Sequence, residues 1–115
     1  MGSIFATMDK LIAQLDAVGL EFTAEDLGAG AKVILEAAQG ACPVDTGNLR
    51  DSGHLEYGTG DVWIFFDAPY ASYVEFGTYK SPAQPFLRPA LDFFQDEALS
   101  AIVDSVQSHF RDITK

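Results

Sequence analysis

A single cysteine, Cys42, excludes an internal disulfide, so the chain belongs in a reducing compartment or has a fold indifferent to redox state. Basic residues are also scarce. Seven Lys and Arg against 17 Asp and Glu give a net charge of −10 and a pI near 4.3, which disfavours nucleic-acid binding by phosphate neutralisation. Uninterrupted apolar runs are missing too: none approaches the ~18 residues a membrane helix needs. The first residues, Met1-Gly2-Ser3-Ile4-Phe5-Ala6, carry no early basic residue, so no signal peptide is expected and the chain reads as soluble. What is present is a 48% hydrophobic content in 115 residues, enough for one core. The expectation is a single domain, 1–115, with N-terminal helices over 1–42, a central segment over 43–91 and a C-terminal helix over 92–115.

Ile4, Met8, Leu11, Ile12, Leu15 and Val18 recur at helical spacing and predict an amphipathic helix ending near Gly19. A second helix follows Thr23, whose hydroxyl can cap it with Asp26 three residues on. Its buried side carries Leu27, Ala31, Val33, Ile34, Leu35, Ala38 and Ala41, while Gly28 and Gly30 weaken the turn or admit a close neighbour. Cys42-Pro43 ends it. From Val44 to Gly53 the chain reads as a turn-rich connection, and then a hairpin is expected. His54–Tyr57 and Asp61–Phe66 flank Gly58-Thr59-Gly60. The second strand is apolar on both faces, with Val62, Ile64 and Phe66 pointing one way and Trp63 and Phe65 the other. A helix should cover one side and another helix or chain the other. Ala68–Thr78 suggests one or two helical turns, and Tyr79–Gln84 a loop. Pro85 to Pro89 opens a last helix, where first-turn amides lack partners anyway. Leu91, Phe94, Ala98, Ile102, Val106, Phe110 and Ile113 form its stripe. Read as one rod it spans roughly 35 Å and must cross the sheet or project from it. The fold class is α+β: a small antiparallel β-sheet packed against two N-terminal helices and a long C-terminal helix.

Candidate chemistry is sparse. Asp45-Thr46-Gly47 is the aspartic-protease tripeptide, and a chain of this length could supply half of a dimeric site with two carboxylates sharing a proton. Here it follows a helix instead of an apolar strand, and a local turn is the simpler reading. His54 and His109 stand far apart with no second ligand at metal spacing, so no metal or other cofactor is expected and both read as surface residues. Gly28-Ala29-Gly30 lacks the third glycine and the preceding strand of a dinucleotide fingerprint. No catalytic residue is assigned. The conspicuous feature is aromatic: Tyr57, Trp63, Phe65, Phe66, Tyr70, Tyr73, Phe76, Tyr79, Phe86, Phe93 and Phe94 fall within forty residues. A chain this small cannot hide all of them, and some should contact neighbouring subunits.

Four ordered segments then carry a resemblance. They are Pro43-Val44-Asp45-Thr46-Gly47-Asn48-Leu49-Arg50-Asp51-Ser52, Pro69-Tyr70-Ala71, Tyr73-Val74-Glu75-Phe76-Gly77-Thr78 and Pro82-Ala83-Gln84-Pro85-Phe86-Leu87-Arg88-Pro89-Ala90-Leu91. Together they closely resemble the small neck proteins of tailed phages, the head-to-tail joining or tail-completion family of minor tail components. The resemblance implies an α+β subunit of a six-fold ring on the end of the tail tube, meeting the head's stopper ring, without catalysis. It implies that Asp45, Thr46 and Gly47 shape the turn after the helix, with Leu49 and Arg50 in the same signature. Tyr70, Tyr73, Glu75, Phe76 and Gly77, with Pro85, Phe86, Arg88 and Pro89, would form its packed and interface part. Glu75 is expected to pair with Arg88 or Arg50, because a buried carboxylate calls for a cationic partner. The implied partners are further copies of the chain, the head-completion or stopper protein and a tail-tube or tail-terminator protein. Six copies would total about −60, so that DNA could pass an acidic lumen without sticking. A tail-terminator ring is the nearest alternative. A dimeric aspartic protease and an acidic DNA-mimicking inhibitor are the alternatives from other classes.

Overall fold

The computed structural model describes residues 3–43 and 47–114. Asp45 and Thr46 lie outside the described residues, as do the side chains of His109, Phe110 and Ile113. In chain order the elements are β1 (Ile4–Thr7), α1 (Asp9–Ala17), α2 (Ala24–Ala41), α3 (Gly47–Asp51), β2 (Gly53–Tyr57), β3 (Val62–Phe66), α4 (Ala71–Phe76), α5 (Leu87–Phe93) and α6 (Gln95–Thr114). The architecture is α+β, as the sequence patterning predicts.

The first correction lies in β1, which the hydrophobic spacing assigned to a helix. Ile4 and Met8 are four apart, but four residues are too few to separate a period of 3.6 from a period of two. Tertiary pairing decides. β1 runs antiparallel to β3, with Ile4 opposite Phe66 and Thr7 opposite Trp63, and β2 pairs along the other edge of β3. The sheet order is therefore β1-β3-β2, and β3 is its centre. That explains the composition of β3: Val62, Ile64 and Phe66 are wholly buried on the inner face, while Trp63 and Phe65 are half-buried on the outer one. In the β2–β3 turn the Gly58 amide donates to the Asp61 carbonyl at 2.9 Å, and Gly60 takes a positive φ of 77°. The helix proper starts after Met8, itself 1% exposed, and buries Leu11 and Leu15, whereas Val18 at its end is 78% exposed.

Helix α2 is the central beam. The Thr23–Asp26 capping box forms as expected: the Asp26 amide donates to Thr23 Oγ1 at 3.2 Å and the Thr23 amide to Asp26 Oδ2 at 3.0 Å. The other oxygen, Asp26 Oδ1, accepts the Ser105 hydroxyl of α6 at 2.6 Å. A buried carboxylate thus caps one helix and pins a second. The small residues Gly28 and Gly30 let the neighbours come close on different sides. A side-chain carbon on Gly28 would lie 2.7 Å from the Tyr57 ring of β2, and one on Gly30 would lie 2.7 Å from Ile102 and 2.9 Å from the Ala98 carbonyl of α6.

These two glycines make opposite predictions. Gly28→Ala displaces the exposed ring of Tyr57 at little cost and gains roughly 1 kcal/mol of helix propensity, so stability should hold or rise. Gly30→Ala must push back the α6 backbone and should cost about 1–3 kcal/mol. Thermal melts of the two variants check this, and equal melting points would refute the close α2–α6 approach.

The long C-terminal helix is present as expected, but it does not run unbroken from Pro85. The chain bends at Phe94, with φ −112° and ψ 19°, so α5 and α6 are separate helices. A straight rod could not keep both stripes on α2, which is only roughly 27 Å long. The bend lets Leu87 and Ala90 of α5 and Ala98, Ile102 and Val106 of α6 all become buried. Both helices therefore pack chiefly against α2, and α6 does not lie across the sheet. The connection after α2 contains the short helix α3, anchored by the fully buried Leu49, where the sequence suggested only a turn.

Candidate assembly surface

The C-terminal end of α4 and the start of α5 are joined by a tight, built loop. Gly77 ends α4 with φ 77°, and its amide donates to the Tyr73 carbonyl at 2.8 Å. Only glycine fits there, since a side-chain carbon would also lie 2.7 Å from the Ala83 amide nitrogen. Thr78 and Ser81 bond each other's backbones at 2.9 and 3.2 Å, and Thr78 Oγ1 accepts the Lys80 and Ser81 amides at 3.2 and 3.1 Å. The Gln84 amide returns to the Val74 carbonyl at 2.8 Å. This small hairpin holds Tyr79 out at 93% exposure, with the Lys80 ammonium 5.5 Å from its ring centre.

Glu75 is the latch beneath it. The residue is only 3% exposed, and Oε1 accepts the Phe86 and Leu87 amides at 2.9 Å each, while Oε2 accepts the Arg88 amide at 3.0 Å. The expected pairing with an arginine side chain is not what the fold uses. Arg88 contributes its backbone, and its guanidinium lies 5.2 Å from the Phe76 ring centre; Arg50 instead faces Asp51 at 3.4 Å in solvent. The first-turn amides of α5 lack intrahelical partners and carry the positive end of the helix dipole, so they satisfy the carboxylate without burying a second charge. Phe86 follows the latch into the core, edge-on to Phe66 at 4.9 Å. Pro89 sits in the first turn of α5, where its missing N–H costs nothing.

The implied signature thus divides. Glu75, Phe76, Gly77, Phe86 and Arg88 form one cluster, and Tyr70 and Tyr73, with Thr78, Ser81, Pro82 and Gln84 from outside the named set, line a groove of about 330 Å³ beside it. Leu49 and Arg50 sit on α3, whose first residue is Gly47, while Asp45 and Thr46 lie outside the described residues that follow helix α2. Between these parts lies Cys42, whose thiol is pushed up to about 11: burial outweighs the Arg50 charge, and Glu75 adds to the rise. Such a thiol stays protonated and unreactive at neutral pH.

A second aromatic surface is the outer face of the sheet. Phe5, Phe65 and His54 stand side by side on β1, β3 and β2, with ring centres 5.4 and 5.7 Å apart, and Trp63 lies on the same face. His54 Nε2 is 3.2 Å from Glu56 Oε1, and Nδ1 is 3.3 Å from Asp67 Oδ2. Partial burial works against protonation of this imidazole, but the Ser52 carbonyl and the two carboxylates outweigh it and raise its pKa. Phe5 was missed from sequence, because only strand pairing across some sixty residues brings it to Phe65.

Among the described residues no group of three or more His, Cys, Asp or Glu side chains could hold a metal ion, and no helix is long and apolar enough to cross a membrane. A cleft of about 240 Å³ between Thr7–Leu11, Ile34 and the residues Leu91, Asp92 and Gln95 is lined without a histidine, cysteine or serine.

Compared with known proteins, no curated protein and no solved structure matched the chain. A family model did, over residues 8–77: the HK97-gp10-like family, described as "Bacteriophage HK97-gp10, putative tail-component". The matched span runs from Met8 through Gly77 and takes in the first two of the four signature segments and the third as far as Gly77. With well over half its length matched, the chain belongs to the HK97-gp10-like family of bacteriophage tail components.

Proposed function

We propose that this tail component is a ring subunit at the neck, completing the tail and joining it to the head. The observation that carries the reading is a set of exposed aromatic side chains: Tyr79 at 93%, Phe93 at 77% and Phe5 at 59%. Aromatic anchors on a fixed scaffold are what protein interfaces are built from. The ring is six-fold, and its partners are other copies, a head-completion or stopper protein and a tail-tube or tail-terminator protein. With −10 per subunit the ring gives DNA an acidic passage and makes no counterion-releasing contacts. The chain thereby acts in the virion, as a structural part and not as an enzyme.

Light scattering of the purified chain over a range of concentrations, alone and with isolated tails, tests this. The expected result is a discrete ring, formed either alone or only on tails. A chain that stays monomeric throughout and never binds tails would overturn the proposal. A ring that halts tube growth in place of binding heads would make it a tail terminator.

A further inference from the structure

We infer that successive copies of this chain join head to tail, the Tyr79–Lys80 loop of one copy seating on the outer sheet face of the next. This rests on the ring reading and names its contact. The two surfaces are unlike and complementary. The loop side carries the exposed aromatics Tyr79 and Phe76 with two cations, Lys80 and Arg88, lying against them. The sheet side carries Phe5, Trp63 and Phe65, rimmed by the carboxylates of Glu56 and Asp67, whose side chains are 52% and 62% exposed. His54 can neutralise at most one of those two carboxylates, so the rim stays net acidic.

Charge then selects the geometry. In a chain of net charge −10 with seven cations, most approaches of one copy to another are repulsive. Sheet against sheet would oppose two acidic rims, and loop against loop would oppose two cation pairs. Loop against sheet alone matches opposite signs over apolar centres, and such an unlike-surface contact closes into a ring when the rotation permits. The Gly77 and Thr78 bonds hold the loop in one shape, so little conformational freedom is lost on docking. Asp67 and Glu56 also remain ordered by His54 before contact.

Two full-length charge reversals test the pairing, Lys80→Glu and Glu56→Lys, both at exposed positions, with circular dichroism verifying that each folds. Assembly is read by light scattering and by the emission of Trp63, the one tryptophan, which sits on the proposed interface. Measurements are made in solution, or on tails if the unmodified chain assembles only there. Each variant alone should need at least about tenfold more protein to assemble, because like charges face each other at every joint. An equimolar mixture should recover assembly, since the two variants alternate with matched charges at every joint, and Trp63 emission should shift to the blue. Rings that form from either variant as readily as from the unmodified chain, or a mixture that fails to recover, would overturn the head-to-tail contact while leaving the ring standing. An unmodified chain that never assembles, even on tails, would overturn both.

Discussion

Replacing Glu75 with alanine should lower stability by about 3–5 kcal/mol, the largest loss expected from any single side chain outside the apolar core. Three amides, those of Phe86, Leu87 and Arg88, lose their acceptor at once, in a place where Glu75 itself is 3% exposed. Each bond to a charged oxygen contributes about 1.5–3 kcal/mol, and water reaching the vacated space recovers part of the loss. Glu75→Gln should cost less, about 1–2 kcal/mol, because its carbonyl can still serve the two amides that share Oε1 while its amide group opposes the third. Chemical denaturation of the two variants measures the order. Limited proteolysis should follow it, with cleavage at 78–84 fastest in the alanine variant. If glutamine is as damaging as alanine, the negative charge and not the hydrogen-bond geometry holds the latch.

Asp26→Ala should cost about 2–4 kcal/mol, because one side chain serves two elements. Its Oδ2 completes the cap of α2 with Thr23, and its Oδ1 takes the Ser105 hydroxyl at 2.6 Å across to α6. Ser105→Ala removes only the second function and should cost about 1–2 kcal/mol. The pair belongs in a double-mutant cycle. If the Asp26–Ser105 bond ties α2 to α6, Ser105→Ala should cost almost nothing once Asp26 is alanine. Full additivity would mean that the two residues act separately and that apolar packing alone holds α6 in place.

The fold was legible where local chemistry decides it. The capping box needs only Thr23 and Asp26, three apart; the hairpin needs only alternating apolar residues about Gly58 and Gly60. Both emerge within a residue or so of their expected ends. What escaped was set at a distance. Four residues of β1 look like the first turn of α1 until β3 supplies their partners, and the bend at Phe94 follows from where α2 lies, not from any proline or glycine in the stripe. At the candidate surface, the burial of Glu75 could be foreseen from its aromatic neighbours. Its partner is less obvious, because a buried carboxylate is more readily matched with a side-chain cation than with backbone amides. The usable signal was Pro85 to Pro89: it marks a helix start, and a helix start offers unpartnered amides to any carboxylate that can reach them. Arg88 was thus placed correctly beside Glu75 but for the wrong group.

The pairing of β1 with β3 also fixes an order of events during synthesis. The partner of Phe5 is Phe65, so the sheet cannot gain its third strand until the ribosome has released the residues through Phe66. The β2–β3 hairpin closes over a few residues and is available first, whereas β1 must be captured across a loop that encloses α1, α2 and α3. Until then one edge of β3 stands open, its amides unclaimed, beside some of the most apolar side chains of the chain. The first strand to be made is therefore among the last to be placed, and during that interval an incomplete copy can pair with the wrong chain in a crowded assembly site.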